Sequence, residues 1–292
     1  MSDKWAPAAR VPPGSLRITM IRCATVLLSY EGHHLLTDPW FGMHMRGLPV
    51  RRRPGRTPSQ LPPLTAVLVS HLHPDHFEPA ALAELSPPPE FVVLPPGAKR
   101  ALAGVLRLPG RIGSLLPLPG GRQGLPPVNC RPARHPVEPQ KIELCPWSEI
   151  QVGPFTVTAI PARHTGPPPD EINFVVELPG WGRLLFGGDA RLDTALLGEV
   201  RRRFGPVRLA LLPVGGTQIC GVRTVMDPAD AETATLLLEA ERVIPLHEGG
   251  LWWSLPPLSR HPGRNSDLKA RFARRGCPER VVVLGEGDEV EL

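Results

Sequence analysis

Leu64-Thr-Ala-Val-Leu-Val-Ser70 runs straight into His71-Leu-His-Pro-Asp-His76, and this junction decides the fold. The apolar run reads as a buried strand. Three imidazoles and a carboxylate then fall within six positions, although only 10 His are spread over 292 residues. Neutral imidazole and carboxylate are the ligands that borderline divalent ions such as zinc prefer. Two His one residue apart, His71 and His73, can grip one ion, while Asp75 and His76 just behind them grip a second. A His-rich surface loop is the alternative, and the spacing speaks against it.

Upstream of the junction, Leu16–Ile21, Thr25–Tyr30 and His34–Asp38 read as strands, and residues 41–63, rich in Pro, Gly and Arg, as a long loop. Downstream, helix Pro79–Leu85, strand Phe91–Leu94 and helix Ala98–Leu106 alternate. Residues 107–146 are Pro-dense and weakly patterned. Strands resume at Glu149–Val152, Phe155–Ile160, Asn173–Leu178 and Arg183–Phe186. Helix Leu192–Phe204, strand Val207–Pro213, helix Pro228–Glu241, strand Val243–Leu246 and helix Asp267–Arg275 follow. Arg280–Leu284 and Glu289–Leu292 close the chain as strands. Strands grouped at both ends, each group followed by β-α alternation, predict two sheets packed face to face with helices outside. No repeat and no internal linker is visible, so a single domain over residues 1–292 is expected.

If the first cluster holds metal, further ligands are expected at later strand ends. His164 follows the strand ending at Pro161. Asp189 follows Leu184-Leu-Phe-Gly-Gly188, where two glycines let the backbone approach closely. His247 follows Val243-Ile-Pro-Leu246 and precedes Glu248-Gly-Gly250. A lone His after a strand is more often structural; three such hits in succession, each near Gly, favour ligation.

The series Thr37-Asp-Pro39, His71–His76, His164, Gly188-Asp189 and His247 resembles the metallo-β-lactamase superfamily, over almost the whole chain. Leu36-Thr-Asp-Pro39, Leu212-Pro-Val-Gly215, Met226-Asp-Pro-Ala-Asp-Ala231 and Val243-Ile-Pro-Leu-His247 make it most similar to the branch with L-ascorbate-6-phosphate lactonase and related bacterial metal-dependent hydrolases. The resemblance implies an α/β fold, an αββα sandwich of two mixed sheets, with a two-metal site at one edge. It assigns His71, His73 and His164 to the first ion and Asp75, His76 and His247 to the second, with Asp189 bridging. Asp38 either braces the site from behind or simply forms the turn before Pro39. Two positions depart from the branch: Arg22-Cys23-Ala24 stands where a Gly-His pair is usual, and Val225 where the lactonase has His. Both are expected near the substrate side.

These residues imply a metal-dependent hydrolase with Asp75 and Asp189 as catalytic carboxylates. Two divalent ions, Zn2+ first and Mn2+ or Fe2+ as alternatives, would bring the pKa of a shared water from about 15.7 toward 7. The expected substrate is a small ester, lactone, amide or phosphodiester. Two alternatives are a metal-dependent nuclease (RNA or DNA) of the same fold and an iron-binding redox or sensor protein; no serine-hydrolase elbow or phosphate-binding glycine loop is present.

Composition fits a soluble globular protein: 41% hydrophobic and 21% charged residues, with no apolar run near the roughly 20 residues of a membrane span. Met1-Ser-Asp-Lys-Trp-Ala-Pro lacks a signal peptide's apolar core, so a cytoplasmic location is expected. The five Cys, at 23, 130, 145, 220 and 277, form no Cys-x-x-Cys pair and read as reduced thiols, with Cys220 weighed as a metal ligand against a small buried residue. The net charge of +5 rests on Arg. Arg46, Arg51, Arg52, Arg53 and Arg56 read as a solvated loop more than a nucleic-acid track, having no interleaved aromatics. A small-molecule partner is expected, with a mouth formed by Arg22, Arg163, Arg51–Arg53, Trp252 and Trp253; a homo-oligomer is left open.

Overall fold

Alternation along the strands sorts the apolar side chains onto two faces of each sheet, and that sorting builds the layers. The computed structural model describes residues 14–45, 48–106, 138–163, 171–251 and 254–292. The first sheet holds β1 (Leu16–Arg22), β2 (Thr25–Tyr30), β3 (His33–Thr37), β4 (Ala66–Leu68), β5 (Phe91–Leu94) and β6 (Gln140–Glu143). The second holds β7 (Glu149–Val152), β8 (Phe155–Pro161), β9 (Ile172–Leu178), β10 (Gly182–Phe186), β11 (Leu209–Pro213) and β12 (Arg242–Leu246). The C-terminal β13 (Glu289–Glu291) returns to the first sheet beside β1. β3 through β6 run parallel, as do β10, β11 and β12; the remaining pairs of both sheets are antiparallel.

Ile18, Met20, Val26, Leu28, Leu35 and Leu68 of the first sheet face Phe155, Val157, Phe174, Val176, Phe186 and Leu211 of the second. The alternate residues Leu27, Leu36 and Val67 point the other way, towards α1 (Pro79–Glu84) and α2 (Ala98–Leu106). On the far side, Val175, Leu185 and Ala210 pack under α3 (Thr194–Phe204), α4 (Pro228–Leu237) and α5 (Asn265–Arg274). This is the αββα sandwich expected from the sequence. Each large apolar side chain fully buried contributes about 1.5–3 kcal/mol, so the inter-sheet layer dominates the driving force. Pro245 is tolerated in β12 because that strand is the sheet edge, where a missing N–H costs no ladder bond.

Differences from the sequence reading have local causes. β6 lies in the Pro-dense stretch read as patternless, because Gln140-Lys-Ile-Glu143 is a half-exposed edge strand with no continuous apolar run. Arg280–Leu284 is not a strand: Pro278–Arg280 makes a 3-10 turn, and only Val281 bridges to Val243. α4 stops at Leu237, since Glu239 adopts φ +49° and Glu241 N–H turns back to Val207 O. α3 starts at Thr194, capped by Asp193, whose carboxylate accepts from Leu196 N at 3.0 Å. Residues 41–63 hold a short hairpin, His44–Met45 with Leu48–Pro49, and a 3-10 turn at Pro58–Gln60. The expected helix at 98–106 is present. Among the described residues, no helix is long and apolar enough to cross a membrane.

Candidate metal centre

β3, β4, β10 and β12 all end toward one edge of the sandwich, and each end delivers polar side chains to it. Asp38 follows β3, His71–His76 follow β4, Asp189 follows β10 and His247 follows β12. Asp38, His71, Asp75, His76, Asp189 and His247 are all buried, and His73 is half-buried. Burying this many ionisable groups is costly unless they are paired or coordinate an ion.

Asp38 is the organising group. Its carboxylate accepts from Ser70 N, Ser70 Oγ and His76 Nδ1, each at 2.7 Å. Ser70 Oγ, having spent its proton on Asp38, accepts from His71 Nδ1 at 2.9 Å. Both imidazoles are thereby fixed in the tautomer that turns Nε2 toward the centre. The bracing role is the one found, and Asp38 also makes the turn, at φ +38°.

His76 Nε2 is buried, with carboxylate oxygens beside it. It lies 3.2 Å from Asp189 Oδ1 and 3.7 Å from Asp75 Oδ2. His247 Nε2 lies 3.2 Å from Asp189 Oδ1 and 3.4 Å from Asp75 Oδ2. Two donor atoms held 2.0–2.1 Å from one tetrahedral ion lie roughly 3.3–3.4 Å apart. The donor set therefore has the span of a coordination shell, and its residue types suit a borderline divalent ion. The rings of His76 and His247 stack at 5.5 Å, while His71 stands 4.2 Å from His76 and 4.5 Å from His73.

The electrostatics agree. Burial pushes the Asp75 carboxyl up, but His76 and His247 outweigh it and hold Asp75 below the ordinary carboxylate range. Burial pulls His76 and His247 down, and the carboxylates, Asp189 foremost, raise both well above the ordinary histidine value. Two imidazoles drawn toward their charged form by two aspartates form a balance that a divalent cation among them would also satisfy.

Glu171 is the residue that sequence reasoning missed. Buried ahead of β9, it accepts the Asp189 N–H at 2.9 Å; burial and then Asp189 raise its carboxyl well above the usual range. No spacing rule announces it. Gly188 makes the approach feasible: at φ +45°, a Cβ there would sit 2.7 Å from Glu171 Oε1 and 3.0 Å from Ser70 Oγ. Gly215 does the same for His247, whose carbonyl oxygen would lie 2.4 Å from an added Cβ, which gives the Leu212-Pro-Val-Gly215 motif its physical basis.

Several expected site residues land elsewhere. His164 lies outside the described residues, as do Trp252, Trp253, Arg46 and Cys130. Arg22 is not at a substrate mouth. It is fully buried, its guanidinium 3.7 Å over the Trp40 ring and donating to Gly42 O (2.6 Å), Arg52 O (3.3 Å) and Trp40 O (3.4 Å). Burial lowers its pKa to about 10, so it stays charged at neutral pH. Val225 is buried as well. Cys220 is exposed on a small outlying sheet, Gln218–Ile219 with Val222–Arg223 and Ser259–Arg260, so neither its metal-ligand nor its buried reading holds. Arg163 is largely exposed and pairs with Asp193 at 2.6 Å. Arg52 pairs with Glu248 and Glu286, and Arg56 with Glu289.

Arg22→Met is expected to destabilise the fold by about 2–4 kcal/mol, because three carbonyls anchoring residues 40–52 lose their donor and the cation–π contact goes. Urea unfolding of both proteins measures it; an unchanged midpoint would refute the anchoring role.

Comparison with known proteins places this geometry. Residues 33–247 match the family model described as the beta-lactamase superfamily domain. The chain belongs to this superfamily. Superfamily relatives include a metal-dependent hydrolase of Korarchaeum cryptofilum, 31% identical over 147 residues; that match covers 50% of this chain and only 58% of the relative. Another, from Rubrobacter xylanophilus, is 27% identical over 293 residues, covering 95% of this chain and 97% of its own. Among solved structures, Igni18, a metallo hydrolase of Ignicoccus hospitalis, superposes with a TM-score of 0.63 at 18% identity, covering 95% of this chain and 98% of that one. That likeness concerns the fold.

Proposed function

We propose that this chain is a cytoplasmic metal-dependent hydrolase with a binuclear centre, acting on a small ester, lactone, amide or phosphodiester. The observation that carries the reading is the 3.2–3.4 Å spacing of Asp189 Oδ1 and Asp75 Oδ2 from the buried His247 Nε2, with His76 Nε2 at 3.2 Å from the same Asp189 oxygen. Asp75, His76 and His247 would hold one divalent ion and His71, His73 and His164 a second, with Asp189 available to both. Zinc is the first choice by ligand type, with manganese or iron as substitutes. The relatives named metal-dependent hydrolases support the same reaction class.

When bound, such ions supply Lewis acidity and bring a water's pKa toward neutrality. The chain supplies everything else. Asp38 holds the His76 Nδ1 proton, and Ser70 passes the same restraint to His71. The Glu171 carboxyl holds the Asp189 backbone N–H, so the Asp189 side chain is aimed before substrate arrives. Because Arg52 and Arg56 are committed to glutamates, the basic loop offers less free charge to a phosphate backbone, which supports a small molecule over nucleic acid.

Elemental analysis of purified protein is expected to find close to two divalent ions per chain. Prolonged chelation should abolish hydrolysis of a lactone, ester and phosphodiester panel, and zinc or manganese should restore it. Only trace transition metal, with nothing recovered on adding one, would overturn the reading. Metal-dependent RNA cleavage with no turnover in the panel would replace it by the nuclease.

A further inference from the structure

Cys23 occupies the two-residue turn between β1 and β2, where the register shifts at Met20 and Arg22. Its backbone adopts φ +55°, a conformation non-glycine residues rarely hold, and its carbonyl accepts the His247 N–H at 3.3 Å. His247 is itself left-handed, at φ +53°. Two unusual backbone conformations are thus tied to each other at the metal edge. Such outliers persist where the surrounding structure over-determines them, and they cluster at functional sites.

The side chain lands among the ligands. One donor atom from each of Cys23, Asp75, His76 and His247 lies within 4.8 Å of every other, and all four residues are buried. His76 belongs to the same group, its Nδ1 committed to Asp38 and its Nε2 fully buried at the centre. An ion held by Asp75, His76 and His247 would thus have the sulfur within reach. We propose that the Cys23 thiolate is a further ligand of the ion held by Asp75, His76 and His247. The inference rests on the metal-centre reading above. On binding, the thiol proton leaves to solvent and the sulfur lone pair forms the bond to the ion. A thiolate in this shell favours zinc over the harder manganese, whereas the set at His71 and His73 keeps nitrogen donors.

The test uses cobalt(II) added to metal-free protein under reducing conditions. Wild type should show visible d–d bands together with a sulfur-to-cobalt charge-transfer band in the near ultraviolet. Cys23→Ser and Cys23→Ala should lose the charge-transfer band and keep d–d absorption. Their zinc affinity should fall by at least about 10-fold, the scale reached even by outer-shell ligand partners. Cys220→Ser should keep the charge-transfer band. If the Cys23 variants fail to fold, X-ray absorption on wild-type zinc protein decides: sulfur at roughly 2.3 Å supports the ligand. A shell of nitrogen and oxygen alone overturns it. Wild-type d–d bands without charge transfer, or charge transfer surviving in the Cys23 variants, overturn the thiolate ligand and leave the metal centre standing. No cobalt spectrum in wild type overturns both.

Discussion

Asp189→Asn is expected to lower turnover by on the order of 10³-fold or more, the scale on which loss of a single catalytic group is felt. Asp189 Oδ1 stands 3.2 Å from both His76 Nε2 and His247 Nε2, so one oxygen serves two imidazoles. The amide keeps the shape and loses the charge, and with it the balance against an ion. The fold should survive, because the sandwich rests on apolar layers that do not include this side chain. Steady-state kinetics, metal content and thermal unfolding should be measured together. Wild-type kcat with wild-type metal content would refute the bridging role.

Asp38→Ala should act on stability and on metal together. It removes a fully buried carboxylate accepting three hydrogen bonds, two from Ser70 and one from His76. Breaking a buried charge network from one side costs about 3–5 kcal/mol. Freeing the His76 ring should weaken metal binding by about 10–100-fold, the usual effect of losing a partner behind a ligand. Asp38→Asn preserves volume and can still accept hydrogen bonds, so a smaller loss is expected. Chemical denaturation and competitive metal titration of both variants check this. A loss below about 1 kcal/mol for Asp38→Ala would show that the network is slack.

The sandwich was legible because its strands are buried on both faces or alternate cleanly; Leu64–Ser70 and Leu184–Gly188 show it before any coordinates. The buried cluster after β4, β10 and β12 was legible because imidazole and carboxylate at strand ends have few other reasons to be there. Glu171 was not: a carboxylate that acts through a backbone N–H obeys no spacing. Arg22 was misplaced for a related reason. An arginine at a strand end, standing where a Gly-His pair is usual, reads as facing substrate, and only the carbonyls of residues 40, 42 and 52 converging on it reveal a buried clamp. The Arg22-Cys23-Ala24 departure was visible in the sequence, but the nearness of Cys23 to Asp75, His76 and His247 depends on the β1–β2 turn.

The donors come from both layers, Asp75 and His76 from the first sheet's edge and Asp189 and His247 from the second's. An ion at their meeting point is a rivet between two plates. At a free concentration 100 times its dissociation constant, it would add about 2.7 kcal/mol to stability. That is a large share of the 5–15 kcal/mol by which folded proteins typically persist. A cell starved of such metal would therefore lose the protein itself as well as whatever the centre does, because opened chains are what proteases remove. Supply of the ion would set the protein's lifetime with no dedicated regulator.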